Sequence, residues 1–200
     1  MSPEELREII TKGLDVLSMT MDASVQKDIV KFSWGYPHFT HLLSLHACRN
    51  AVLRDRIHVQ VEPDFRLAIN MAIQQSFESL RKAYQDATSG TRESIYEQVL
   101  WATAKAEVDE HNTSQPKDLL IPHSNILKKQ VKYQAFISHL SHFCSADRGY
   151  VLEKSGKKRR VRYKLKDPRM RAFLLLKYQE SIKSPPGSQG IQETLWDQTN

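Results

Sequence analysis

Residues Arg148–Arg171, RGYVLEKSGKKRRVRYKLKDPRMR, decide how this chain is read. Eleven lysines and arginines stand there against two acids, a charge of +9 in a chain whose total is +6. The basicity is therefore gathered in one place rather than spread. Tyr150-Val151-Leu152 and Val161-Arg162-Tyr163-Lys164-Leu165 are strand formers, and the second run alternates apolar with basic. Ser155-Gly156 supplies a turn between them. The stretch predicts a β-hairpin with Arg160, Arg162, Lys164 and Lys166 on one face and Val161, Tyr163 and Leu165 on the other. The apolar face must pack, so the basic face looks outward.

On either side of the hairpin the periodicity becomes helical. Tyr133–Cys144 places Phe136, Ile137, Leu140 and Phe143 on one side and leaves Gln134, Ser138, His139 and His142 freer, and Asp167–Tyr178 forms a helix after the hairpin. Helix, basic hairpin, helix is the closing half of a winged helix, whose wing commonly touches nucleic-acid phosphates. The candidate contacts to nucleic acid or another acidic partner are Lys154, Lys157, Lys158, Arg159, Arg160, Arg162 and Lys164 on the wing. Gln134 and His139 join them on the preceding helix, the one that would enter a groove. That helix offers no arginine fork, so phosphate contact is better supported than base reading. Lysines guarding an edge strand against aggregation account for only part of this charge.

Towards the amino terminus the chain is helical throughout. Ser2, Pro3 and Glu5 form a helix start, followed by Leu6, Ile9, Ile10, Leu14 and Leu17 at helical spacing. Asp22 is placed to cap a second helix carrying Val25, Ile29, Val30 and Phe32. Gly35 ends it and Pro37 begins a third, to about Val52. A short link at Ile57–Val61 precedes one long helix from Pro63, striped by Phe65, Ala68, Ile69, Ala72, Ile73, Phe77, Leu80 and Tyr84. Asp109–Ser124 reads as irregular. The expected organisation is mainly α: a four-helix bundle without a sheet at 1–89, a winged-helix domain with one β-hairpin at 90–180, and a disordered tail at 181–200. Leu14, Trp34, Tyr36 and Phe39 cluster near helix ends and are expected to form an exposed apolar patch, which self-association would cover.

Composition excludes several functions. No run approaches the roughly 20 apolar residues of a membrane span, and the start lacks a signal-peptide pattern, so a cytoplasmic protein is expected. Cys48 and Cys144 lie far apart in helical contexts and read as free thiols. His38/His41 and His139/His142 are spaced three apart, but no third ligand accompanies either pair, so no metal is expected. None of the seven glycines lies in a phosphate-cradling loop, and no nucleophile sits in a recognisable turn. No catalytic residue, and no enzyme activity in this chain alone, is expected.

Ser33-Trp34-Gly35-Tyr36-Pro37-His38-Phe39-Thr40-His41-Leu42-Leu43 resembles the lid of AAA-type P-loop ATPases, where two helices joined by a Gly-x-Pro turn close over nucleotide. Met-Ser-Pro-Glu-Glu-Leu-Arg-Glu-Ile-Ile looks like the segment following the last core strand, Val61–Ala87 like the final lid helix, and the wing with Lys166-Asp167-Pro168-Arg169-Met170 like the carboxy-terminal winged helix of the same proteins. The resemblance spans roughly residues 1–178 and rests on the order of parts. It implies a nucleotide-facing lid turn at Gly35, Tyr36, Pro37 and His38, and a P-loop ATPase core as partner. ATP and magnesium are implied only for that core, which this sequence lacks. His38 stands where such lids often carry an arginine, and a mostly neutral histidine is a poor permanent counter-charge. Beside a nucleotide-responsive lid and winged-helix module stand two alternatives: a self-standing winged-helix DNA-binding regulator, and an adaptor whose wing meets an acidic protein surface.

Overall fold

The structure, a computed structural model, describes residues 1–90, 93–157 and 160–183. Lys158 and Arg159 of the wing, Thr91 and Arg92 of the expected boundary, and the tail from Ser184, with Pro185-Pro186-Gly187 and Leu195-Trp196, lie outside the described residues. What is described is mainly helical, with two sheets of two strands each. No helix among the described residues is long and apolar enough to cross a membrane.

Helix α1, Pro3–Leu17, starts as its sequence dictates. Ser2 Oγ accepts the Glu5 N–H at 3.2 Å while the Glu5 carboxylate accepts the Ser2 N–H at 2.7 Å. Its buried stripe is Leu6, Ile10 and Leu14. The chain then forms β1, Thr20–Met21, which pairs in parallel with β2, His58–Val59. The amino-terminal half therefore contains a strand pair where a purely helical bundle was expected. Between the strands lie α2, Ala23–Ser33, and α3, Pro37–Val52. Asp22 occupies the position before α2 but its carboxylate does not cap it. It hydrogen-bonds His58 Nε2 at 2.9 Å and accepts the Val61 N–H at 3.3 Å, fastening the strand pair instead.

The expected long helix from Pro63 is broken. A turn at Val61–Phe65 leads into α4, Arg66–Gln74, and a separate α5 runs Glu78–Thr88. At the break the Ser76 hydroxyl donates to the Ala72 carbonyl at 2.7 Å, and Gln75 meets His46 Nε2 at 3.0 Å. Phe77, placed on the core stripe by periodicity, is 40% exposed because the break takes it off that stripe. In return Leu80, Tyr84 and Ala87 of α5 are buried. Asp64 is fully buried at the start of this segment, held by the Arg56 fork at 2.7 and 2.8 Å and by the Gln60 N–H at 3.0 Å.

The carboxy-terminal half runs α6, Glu93–Lys105; a 3₁₀ turn, Pro116–Leu119; α7, Leu120–Leu127; α8, Gln134–His142; β3, Leu152–Ser155; β4, Arg162–Leu165; and α9, Met170–Lys183. The region expected to be irregular thus holds a helix, which carries Pro122 in its first turn. Strands β3 and β4 pair antiparallel, with Leu152 opposite Leu165 and Ser155 opposite Arg162. Ser114 adds an isolated bridge to β4: it and Tyr163 exchange both N–H···O bonds at 2.9 Å.

Contacts cross from one half to the other. Helix α9 packs on α6 and also on α4 and α2. Tyr84 of α5 meets Phe173 of α9 edge-on, ring centroids 5.7 Å apart, and its hydroxyl donates to Glu97 of α6. Arg148, before β3, lies 3.8 Å over the Tyr96 ring and donates to the carbonyls of Ala87 and Ser89 at the end of α5. The buried apolar residues of both halves form one cluster. Ser181–Lys183 belong to α9 rather than to a tail.

Candidate nucleic-acid interface and lid turn

The cations of the hairpin divide into those the fold answers and those it leaves free. Arg162, at the loop end of β4, is half-buried and bound. It pairs with Asp109 at 2.7 Å and donates through Nε to the Thr113 hydroxyl and through Nη2 to the Thr113 carbonyl at 3.3 Å. The loop before the bridge is wrapped around that same carboxylate. Asp109 accepts the N–H groups of His111 at 3.0 Å and Thr113 at 2.8 Å, and the Thr113 hydroxyl at 2.8 Å. These bonds, with the Thr113 N–H foremost, hold the carboxyl below its ordinary range. Lys164 lies outward as expected but pairs with its cross-strand neighbour Glu153 at 3.1 Å.

Lys154 in β3, and Lys157 and Arg160 in the loop that forms the tip, are exposed, and none has an acidic partner among the described residues. Lys154 is opposite Tyr163, so it shares that residue's face rather than the face of Arg162 and Lys164. It lies close enough to the half-buried Cys144 to oppose the rise in thiol pKa that burial causes there. The single outward basic face expected from alternation is therefore split: Arg162 and Lys164 are answered within the fold, whereas Arg160 in the loop and Lys166 at the base of β4 are exposed without an acidic partner among the described residues. Lys158 and Arg159 fall outside the described residues.

On α8, Gln134 is exposed in the first turn. His139 was expected on the open side of this helix and is half-buried. Its ring meets Tyr96 of α6 edge-on at 5.0 Å, so it contributes to packing between helices. His142, exposed, hydrogen-bonds the Tyr96 hydroxyl at 3.2 Å.

The turn at Gly35, the candidate lid turn, has the backbone that its sequence demands. Trp34 and Gly35 both take positive φ, at 47° and 80°. A Cβ on Gly35 would come within 3.1 Å of the Met1 carbonyl, so glycine serves both the dihedral and the close approach. Pro37 opens α3. The patch expected around this turn is only half present: Leu14 and Phe39 are buried in the core, whereas Trp34 is 41% exposed and Tyr36 half-buried. His38 packs on Phe77 at 4.8 Å, and the Arg169 guanidinium covers the same ring at 4.4 Å. Burial pushes the Tyr36 phenol up, and the charge of Asp167 adds to it. The turn thus faces the segment joining β4 to α9. Spacing alone had separated these two regions by more than a hundred residues, and no local pattern marks their meeting.

Among the described residues no group of three metal-ligating side chains comes together. No family model matches this chain, and no curated protein or solved structure matches it.

Proposed function

We propose that residues 93–183 act as a winged helix that docks on nucleic-acid phosphates through the tip of its wing, and that residues 1–88 are the lid-type module of an AAA-type ATPase that carries it. The observation that carries this reading is the segregation of charge on the hairpin. Arg162 and Lys164 are neutralised within the fold, whereas Lys154, Lys157 and Arg160 are exposed without acidic partners among the described residues. A protein gains nothing in stability from holding such charges together, and a phosphate backbone would reward it. The order of elements supports the winged-helix assignment: α6, a one-residue bridge at Ser114, α7, α8, then β3 and β4, with the bridge on β4. The Gly35 turn, closed by Pro37, with His38 packed on the Phe77 ring that Arg169 covers, supports the lid assignment.

Binding of this kind is sequence-tolerant and salt-sensitive, roughly 10⁻⁴–10⁻⁶ M at physiological salt. Titration of a labelled duplex at low ionic strength tests it. Comparable affinity for unrelated sequences supports the reading. Absence of binding at about 50 mM salt, where the counterion term is strong, removes it. The tip would then be tested against acidic protein surfaces.

A further inference from the structure

Arg171 is an unusual residue for an arginine. It is 5% exposed, and no carboxylate pairs with it among the described residues. Its Nη1 donates to the carbonyls of Ala104 at 2.7 Å and Ala106 at 3.1 Å, and its guanidinium lies 4.8 Å from the Trp34 ring centroid. Carbonyl dipoles and a ring face offset part of the cost of burying a cation but leave the charge itself uncompensated. Burial accordingly pushes its pKa down to about 10, which still leaves it protonated at neutral pH.

Arg171 forms one wall of a cleft of about 160 Å³ between the lid turn and the root of the wing. Trp34 and Tyr36 line it from the amino-terminal half; Asn112, Lys164 and Lys166 line it from the other. No aspartate or glutamate is among its lining residues. Acids beside the lining residues are engaged: Glu110 meets His111, which also lines the cleft, at 3.5 Å, and Glu153 pairs with Lys164, Asp167 with Arg169 and Asp109 with Arg162. The cleft is too small to enclose a whole nucleotide, since sites for molecules of that size run from about 300 Å³ upward. Its basic and amide side chains come from three separate segments, around Asn112, Lys164–Lys166 and Arg171, rather than from one planar fork; the Lys166 ammonium, now over the Tyr150 ring, has no acidic partner to leave among the described residues. That arrangement suits a tetrahedral anion better than a carboxylate.

We propose that this cleft binds a phosphoryl group, either as free phosphate or as the phosphate of a mononucleotide whose base lies outside against the open edge of Trp34. The bound dianion supplies the counter-charge that Arg171 lacks. Because Trp34 and Tyr36 belong to one half and Lys166 and Arg171 to the other, occupancy fastens the two halves together. The site is independent of whether the wing tip contacts DNA.

Orthophosphate, AMP and adenosine titrated into the full chain, followed by calorimetry and amide exchange, test the proposal. Orthophosphate and AMP should bind saturably, adenosine should not, and exchange should slow at residues 34–36 and 164–168 together. Lys166→Ala and Asn112→Gly should each weaken phosphate binding, the lysine by roughly 10-fold as expected for a charge-assisted bond. Lys12→Ala, on the exposed face of α1 beside Glu8, should leave it unchanged. Arg171→Met should abolish binding; if that variant is unfolded by circular dichroism, the Lys166 and Asn112 variants decide. Absence of saturable binding by both phosphates overturns the site. Adenosine binding as tightly as AMP also overturns it, as does phosphate binding indifferent to Lys166→Ala and Asn112→Gly.

Discussion

Two sets of cations on one hairpin are the same kind of residue used in opposite ways. Arg162 and Lys164 are consumed by Asp109, Thr113 and Glu153. Lys154, Lys157, Arg160 and Lys166, their neighbours along the strands and the loop, have no acidic partner among the described residues. The difference teaches that a count of basic residues measures potential, not function. A lysine or arginine is available to a partner only when the fold has not already answered its charge, and the answer came from a loop some fifty residues upstream.

The largest effect expected on this contrast comes from Gly156. It holds φ at +78°, and an added Cβ would lie 2.1 Å from the Arg160 carbonyl oxygen. Gly156→Val should destabilise the hairpin by about 2–4 kcal/mol through combined strain and clash, read as a fall in Tm, and should scramble the tip. Next, Arg162→Ala should cost about 1–3 kcal/mol, because it removes an ion pair and two hydrogen bonds from a half-buried network. It should leave the salt slope of DNA binding unchanged. A lowered slope with unaltered stability would show that Arg162 also contacts phosphate and would erase the distinction.

At the tip the expectation is inverted. Lys157→Ala and Arg160→Ala should leave denaturation midpoints within about 0.5 kcal/mol of wild type. Each should lower the salt slope of duplex binding by roughly one unit, equally for unrelated sequences. A smaller effect is expected from Lys164→Ala, whose exposed pair with Glu153 contributes less than about 1 kcal/mol. The smallest is a pH effect at Asp109. The carboxyl of Asp109 is held below its ordinary 3.8 by bonds to the Thr113 backbone and hydroxyl, the His111 N–H and the Arg162 charge. A depressed carboxyl stabilises the fold fully above the unfolded value, and that contribution is lost as pH falls through the folded value. Protection of the Thr113 amide against exchange should therefore fall below about pH 4, and Asp109→Asn should remove that dependence.

The local signals were legible where one stretch of chain settles its own conformation. Ser2, Pro3 and Glu5 form the box that their spacing announces, Gly35-Tyr36-Pro37 makes the turn, and the alternation in Arg162–Leu165 gives buried Tyr163 and Leu165. What could not be read there depends on distant partners. The break at Gln75–Phe77 defeats an otherwise continuous helical stripe because α5 turns to bury Leu80 and Tyr84 with the carboxy-terminal half. The parallel pairing of Thr20-Met21 with His58-Val59 joins runs too short to show strand periodicity. Asp22 looked like a helix cap and serves His58. Of the candidate site, the hairpin and its charge were visible, whereas the pairing that silences Arg162, the packing of His139 on Tyr96, and the meeting of Trp34 with Arg171 were not.

Arg148 gives the molecule a mechanical property. Its guanidinium grips the carbonyls at the end of α5 while lying on Tyr96 of α6, and a Cβ on Gly149 beside it would come within 3.0 Å of the Asp86 side chain. The hairpin begins four residues after Arg148. A displacement of the hairpin would thus reach α5 almost at its point of origin, with little slack chain to absorb it. The hairpin is placed less like a tethered hook than like the short arm of a crank set against the helices of the amino-terminal half.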